Sequence, residues 1–410
     1  MRYIGLFVLT FWIFLWSAPI LSSANGESPP TAPLEQGTTT PSQTEQLTKE
    51  VIRSQLNDLQ TEEVESFWRQ LKTEYGRYFE GEEPASLFDL LTGTGSSWSL
   101  TDALSALARF FFYEVLYNGK LLGSIIVLTV FSVILQNLQS AFEKNQVSKV
   151  AYAIVFLVII VLAVDSFTVA VEAAKEAISK MIHFMLAVVP MMLTLLASMG
   201  NFASASLFHP LIIFMIHVIG TIIYTVVFPL LFFSTVLYII SNLSEKYKLT
   251  QLADLMRKVS IALLGGLLTI FLGVISVQGA TTAATDGVAI RTAKYITGNF
   301  VPVVGRSISE AADTVVGASL LIKNTVGLAG VIILLFLVAF PALKILSLSF
   351  IYNLAAAVLQ PLGNSPIISS LSIIGRTLIY VFAAMAAVGL MFFLAITIII
   401  AAGNISVMMR

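Results

Sequence analysis

Residues 181–244 form an unbroken stretch of 64 residues without a formal charge. At a rise of 1.5 Å per residue, a helix of that length crosses a hydrocarbon core of about 30 Å two or three times. The whole chain is only 11% charged, whereas about a quarter of the residues in a soluble domain carry a charge. With 57% hydrophobic residues and a mean hydropathy of +0.88, the sequence predicts an all-α, polytopic helical membrane protein.

Other apolar runs locate the remaining spans, because a charge at the bilayer centre is costly. The runs 121–142, 259–279 and 377–402 carry no formal charge, whereas 150–171 contains Asp165 and 326–350 contains Lys344. With two crossings in the long stretch, which turns near Asn201 and Pro210, residues 121–410 form a membrane domain of seven spans. If Gly220 and Pro229 mark a second turn in that stretch, the domain has eight.

The orientation of these spans should follow from lysine and arginine residues in short loops, which are held on the cytoplasmic side. In the seven-span path the basic residues divide equally, with seven on each side, and the eight-span path gives the same division. The sequence therefore leaves open the polarity of the C-terminal half, and with it the side on which residues 280–324 lie.

The N-terminal part of the chain differs from the membrane domain in charge, because residues 25–120 carry 15 acidic and 7 basic side chains. Residues 1–24 have the pattern of a secretory signal peptide, with an uncleaved anchor helix as the alternative. Either one places the next segment outside the cytoplasm. Residues 25–46, rich in Pro, Thr, Ser and Gln, are predicted to be a flexible leader. In residues 47–120, apolar residues recur every three or four positions, which predicts an extracytoplasmic region of amphipathic helices.

Motifs for chemistry are missing from this sequence. It contains no cysteine and no motif of a P-loop nucleotide site, a zinc protease, a serine hydrolase or a dinucleotide-binding fold. The three histidines, His183, His209 and His217, form no pair spaced for a metal on one helix turn. We therefore expect a protein that is not an enzyme and that holds neither a metal nor a cofactor.

Two ionisable residues, Asp165 and Lys344, lie within apolar spans. An ionisable group inside a membrane is a candidate for an ion or proton pathway, so these residues favour an autonomous small-molecule or ion-coupled permease. The alternative is that Asp165 reaches the membrane interface and that Lys344 extends its charge to the interface along its flexible stem.

Residues 280–324 change character without becoming loop-like. Small residues predict two closely packed helices, the first starting after Thr285 and the second starting with the capping-box sequence Ser307 to Glu310. Gly298, Pro302 and Gly305 separate them. This helical hairpin lines a wet cavity, enters the membrane in part or lies on its surface; an ordinary amphipathic connection is the simpler alternative.

The same residues carry a resemblance to a known family. The stretch 286–327, DGVAIRTAKYITGNFVPVVGRSISEAADTVVGASLLIKNTVG, resembles the stage III sporulation protein AE family of endospore-forming bacteria. The resemblance implies a non-enzymatic membrane subunit of a secretion or feeding channel between mother cell and forespore, located in the mother-cell membrane that surrounds the forespore. It also implies packing or channel-lining roles for a set of hairpin residues. These are Asp286, Arg291, Lys294, Gly298, Asn299, Phe300, Pro302, Gly305, Glu310, Asp313, Lys323 and Asn324.

The partners that this resemblance implies are the other stage III sporulation AA to AH proteins. They include a cytoplasmic ATPase and ring-forming proteins of the intermembrane space, and through the rings a forespore membrane protein. A nucleic-acid partner is not implied. The missing nucleotide motif is compatible with these partners, because a chain without its own nucleotide site needs a separate source of energy.

Overall fold

The computed structural model describes residues 61–79, 100–141, 146–243, 248–300, 304–363 and 365–408, which all belong to one compact unit, Gln46–Arg410. Every regular element in these ranges is helical, so the all-α prediction is confirmed. The helices are α1 Thr61–Tyr75, α2 Leu100–Tyr117, α3 Gly119–Ala141, α4 Gln146–Ser198, α5 Phe202–Ile222, α6 Phe228–Leu243, α7 Thr250–Phe300, α8 Val304–Leu359 and α9 Pro366–Met408.

Six candidate membrane spans occur among the described residues, and they are long and apolar enough for a multi-pass membrane protein. Helices suit such spans because each backbone N–H group inside a helix is bonded within the same segment. The counts of seven or eight spans are not confirmed. The six spans are Thr101–Leu135, Ala153–Ser198, Phe202–Asn242, Thr250–Gln278, Asp313–Leu362 and Pro366–Asn404.

The difference in span number arises in two places. Runs 150–171 and 181–198, which we predicted as separate spans, are parts of the single helix α4, because the charged segment between them is helical. The expected turn near Asn201 exists: Gly200 adopts a φ of 86° between α4 and α5, a conformation that glycine adopts readily. The second expected turn, at Gly220 and Pro229, does not exist, because a π-helical turn, Ile223–Val227, connects α5 directly to α6.

The predicted hairpin 280–324 is built from the ends of two long helices. α7 runs through Thr285 to Phe300, so the prediction of a separate helix that starts after Thr285 is wrong. α8 begins at Val304, which leaves 301–303 as the connection. The chain turns between α8 and α9, where Gly363 has a φ of 108°.

The helices pack in an antiparallel bundle, with α8 and α9 as its most buried spans. The hydroxyl of Ser349 donates to the carbonyl of Gly375, and farther along the pair a side chain at Gly389 would meet Val338. α4 lies beside both helices: the hydroxyl of Tyr352 donates to the carbonyl of Leu162 in α4 over 3.4 Å.

The bundle has two ends. The Gly200 end contains the α4–α5 turn and the last turns of α9. The Gly363 end contains the end of α8, the end of α6 and the starts of α4, α7 and α9. Asn242, at the end of α6, donates to Ser370 near the start of α9, which places these two helix ends together.

The amphipathic helices predicted before the membrane domain are partly described. α1 confirms one of them. α2 instead lies almost entirely within the first candidate span, Thr101–Leu135, so this span begins earlier than the predicted residue 121. Residues 1–60, with the predicted signal peptide and leader, lie outside the described residues. Val64, Trp68 and Leu71 form the buried face of α1, which packs against α4 and α8. α2 also contacts α8 and continues through Gly119 into α3.

Candidate functional site

Lys323 on α8 is fully buried, with an exposed fraction of 0%. Its Nζ donates to the backbone carbonyl of Ile400 at 2.9 Å and to Asn404 Oδ1 at 3.4 Å, both on α9. A buried ammonium group is costly unless acceptors replace its water shell. These two acceptors therefore fix the C-terminal part of α9 to α8 at the Gly200 end.

Gly403 makes the room for this ammonium group. A Cβ added at Gly403 would fall well inside contact distance of Lys323 Nζ and 3.1 Å from Leu196 Cδ1 on α4. Three helices therefore meet closely at this point. Beside Lys323, Asn324 has a buried Oδ1 that accepts no hydrogen bond from the described residues.

The other residues of the predicted hairpin set fall into two groups. Lys323 and Asn324 lie in the bundle, and Asp313 is exposed. Pro302 lies outside the described residues. The remaining members belong to the helical backbone of α7 and α8, but their side chains lie outside the described part of the structure. These members are Asp286, Arg291, Lys294, Gly298, Asn299, Phe300, Gly305 and Glu310. Their packing or lining roles stay a prediction.

Asp165 and Lys344, the residues that favoured a permease, are both described and form no ion pair with each other. Asp165 is exposed on α4, and Lys344 is half-buried on α8. On α4 the neighbouring positions of the same stripe, Val161 and Val169, are exposed as well. The structure therefore places Asp165 on an outer face of the bundle.

An aromatic cluster that the sequence did not predict holds α1 on the bundle. Tyr75 stacks on Phe340 of α8, with ring centroids 3.9 Å apart and an angle of 2° between the planes. Phe110 of α2 packs edge-on against both rings, at 5.7 Å from Tyr75 and 5.1 Å from Phe340. We call Tyr75, Phe110 and Phe340 the aromatic clamp.

Polar contacts surround the aromatic clamp. The hydroxyl of Tyr75 donates to Glu74 Oε1 at 2.8 Å, and Glu74 Oε2 lies 3.0 Å from Lys180 Nζ on α4. Burial raises the pKa of Tyr75 above its ordinary value, and the adjacent Glu74 carboxylate adds to the effect. The phenol is therefore neutral at physiological pH, as its stacking on an apolar ring requires.

We expect the Glu74→Gln substitution to change the free energy of unfolding by less than about 1 kcal/mol, because ion pairs in contact with solvent contribute little. The Glu74 side chain is 40% exposed and that of Lys180 is 23% exposed. Thermal unfolding in detergent at low and high salt measures this effect. A loss comparable to that of a core truncation would show that the pair, and not the aromatic clamp, holds α1.

Close helix packing leaves little space inside the described bundle. A Cβ at Gly327 would lie 2.5 Å from Ile400 Cδ1, and one at Gly389 would lie 2.5 Å from Val338 Cγ2. A larger residue at either position would displace the neighbouring side chain, and glycine there lets the helix backbones approach closely. The space between α1, α4 and α8 beside Tyr75 measures about 10 Å³, which barely admits one water molecule.

No group of three or more His, Asp or Glu side chains that could hold a metal ion occurs in the described part of the chain. The contacts of the described residues provide packing and charge placement. A buried lysine fixes α9 to α8, glycines allow close approach, and the aromatic clamp joins the N-terminal helix to the bundle.

Comparisons with known proteins agree on one family. The sequence profile described as stage III sporulation protein AE matches residues 83–403. The stage III sporulation protein AE of Bacillus subtilis (strain 168) is 53% identical over 352 residues, which cover 86% of this chain and 88% of the relative. No solved structure matches. The resemblance inferred from residues 286–327 is thereby confirmed, and the chain belongs to the stage III sporulation protein AE family.

Proposed function

We propose that this protein is a non-enzymatic membrane subunit of a sporulation-specific secretion or feeding channel between mother cell and forespore, and that it is required for spore development. The observation that carries the proposal is the family match over residues 83–403, which supports a sporulation-specific role. In this proposal the chain contributes a membrane platform to a larger complex and does not carry a substrate by itself.

The packing of the bundle favours a subunit over an autonomous permease. A carrier needs polar groups near the bilayer midplane, surrounded by broken helices. Asp165 instead lies on an outer face, and Lys323 is enclosed by acceptors of α9 at one end of the bundle. The close approach of α8 and α9 at Gly327 and Gly389 further narrows the interior of the described bundle.

The proposed partners are the other stage III sporulation AA to AH proteins. A cytoplasmic ATPase of this set supplies energy, ring-forming proteins assemble in the intermembrane space, and through them the complex meets a forespore membrane protein. The proposed location is the mother-cell membrane around the forespore. The predicted signal peptide is consistent with that arrangement, because it sends the acidic N-terminal region out of the cytoplasm.

The test uses two glycines in the hairpin, Gly298 and Gly305. We expect Gly298→Leu and Gly305→Leu to abolish spore formation and co-purification with the partner proteins, because a bulky side chain separates closely packed helices. The matched control is Gly265→Leu on α7, since a side chain at Gly265 meets nothing within 4 Å.

All three variants should reach the membrane in normal amounts, which Western blots of membrane fractions measure. Spore counts and affinity purification from sporulating cells then report on function and assembly. Normal sporulation together with normal co-purification in both hairpin variants would contradict the proposed role of the hairpin in assembly.

A further inference from the structure

The six-span path assigns a side to the hairpin, which the sequence left open. We propose that the hairpin formed by the end of α7 and the start of α8 lies outside the cytoplasm, and that the Gly363 end of the bundle faces the cytoplasm. This assignment comes from helix directions and charge placement, so it does not depend on the proposed function.

Contacts between neighbouring helices establish the directions. A side chain at Gly220 would meet Ile182, and the ring of Phe232 lies 6.0 Å from that of Phe167, so α4 is antiparallel to α5–α6. The hydroxyl of Ser234 donates to the carbonyl of Ala253, so α7 starts where α6 ends and runs back along it.

The last two helices also run in opposite directions. Lys323 contacts Ile400, whereas Ser349 contacts Gly375, so α8 and α9 are antiparallel. The starts of α4, α7 and α9 and the ends of α6 and α8 therefore lie at the Gly363 end. The α4–α5 turn, the end of α7 and the start of α8 lie on the side of the Gly200 end.

Basic residues are distributed unequally between these two sides. Lysine and arginine residues within about 15 residues of a span end decide orientation. The Gly363 end has eight of them in or near its connections: Lys120, Lys144, Lys149, Lys246, Lys248, Arg257, Lys258 and Arg376. The opposite side has six: Arg109, Arg291, Lys294, Arg306, Lys323 and Arg410.

The seven-span path divided the basic residues equally because it made residues 172–180 a loop between two spans. That loop moved Lys246, Lys248 and Arg376 to the side opposite Lys144. In the structure this segment lies inside α4, so all four residues belong to the same end. The majority of eight to six favours a cytoplasmic Gly363 end.

The N-terminal region gives an independent argument. The first span, Thr101–Leu135, leads towards the start of α4, so its first residues are directed away from the Gly363 end. A cytoplasmic Gly363 end therefore puts this region outside, where the predicted signal peptide also sends it. The hairpin and the N-terminal region then share one compartment.

The hairpin also extends past the level of Gly403. The guanidinium of Arg257 lies 5.7 Å from the ring centroid of Tyr380, and Gly403 is level with Lys323. Because α7 and α9 run in the same direction, residue 280 of α7 is level with Gly403. About 20 residues at the end of α7 and about 20 at the start of α8 continue past this level, which is about 30 Å of helix at 1.5 Å per residue.

This sidedness limits which proposed partners can reach the hairpin, a consequence that does rest on the proposed function. A protein of the space outside the cytoplasm can contact residues 280–320. A cytoplasmic ATPase can contact only the Gly363 end, through the 142–145, 244–249 and 363–365 connections.

Cysteine accessibility tests the proposal directly, because the natural chain contains no cysteine. Single substitutions Asn299→Cys and Ser309→Cys mark the hairpin, Ser406→Cys marks the C-terminus, and Ser244→Cys and Lys248→Cys mark the Gly363 end. The full chain is produced in bacteria that lack its sporulation partners, and protoplasts are treated with a membrane-impermeant maleimide before and after permeabilisation.

We expect the hairpin and C-terminal positions to react in intact protoplasts, and the two positions at the Gly363 end to react only after permeabilisation. The reverse pattern would overturn the assigned orientation. Reaction of the hairpin and the C-terminus from opposite sides, or of the hairpin and the Gly363 end from the same side, would overturn the six-span path. Two positions at each tested end prevent one shielded thiol from deciding the result. Sporulation is not measured, so failure here is distinguishable from failure of the proposed function.

Discussion

Phe340→Ala is expected to lower the free energy of unfolding by about 3–5 kcal/mol, the range typical of a buried phenylalanine truncated to alanine. Phe340 is 1% exposed, and its ring contacts those of Tyr75, Phe110 and Phe336. The substitution removes the centre of the aromatic clamp, so α1 should also detach from α8. Thermal unfolding in detergent measures the first effect.

Limited trypsin digestion measures the second effect, because α1 and the turn after it contain Arg69, Lys72 and Arg77. We expect cleavage in this segment to be faster in Phe340→Ala than in the natural protein. Phe112→Ala is the control, since Phe112 is 64% exposed and should change neither stability nor cleavage. Equal cleavage rates in all three proteins would contradict the role of the aromatic clamp.

Gly403→Ala is expected to destabilise the bundle by about 3 kcal/mol. The added methyl group displaces the Lys323 ammonium group, so overpacking adds to the loss of a hydrogen bond from a charged donor. Lys323→Met should have little effect, because a buried charge replaced by an apolar side chain of similar volume is often tolerated. The carbonyl of Ile400 still accepts the internal hydrogen bond of its own helix.

The double variant decides whether these two residues act through each other. In the Lys323→Met background, Gly403→Ala should cost only about 1 kcal/mol, so the cycle gives a coupling of about 2 kcal/mol. Gly317→Ala is the matched control on α8, since a side chain there meets nothing within 4 Å. Additive effects of the two substitutions would mean that Gly403 is needed for a reason other than the position of Lys323.

The sequence predicts the fold class well because a run without charges is a local property that the bilayer constrains directly. The turn at Gly200 and Asn201 is likewise local, and small polar residues mark it. The continuity of α4, in contrast, is not a local property of the sequence. Segment 172–180 contains Lys180, which pairs with Glu74 of α1, and Glu172 and Glu176, which are exposed. These charges are accommodated on a helix, so they need no loop.

Burial of Lys323 could not be predicted from its neighbours in the sequence, because its acceptors lie 77 and 81 residues away on α9. The aromatic clamp depends in the same way on helices that are distant in the sequence. The periodicity of residues 64–78 did predict an amphipathic helix, and the structure adds the surface on which its apolar face packs. Local patterns thus identify helices, and tertiary contacts decide which charged side chains are buried, paired or exposed.

We propose that this chain works as a subunit and carries no solute alone. Reconstitution of the purified full-length protein in liposomes tests it, with uptake of ions and small metabolites measured under a proton or sodium gradient. We expect no gradient-driven uptake above that of empty liposomes, and no difference between the natural protein and Asp165→Asn. Uptake of a defined solute by the natural protein that Asp165→Asn abolishes would contradict the account and establish an autonomous permease.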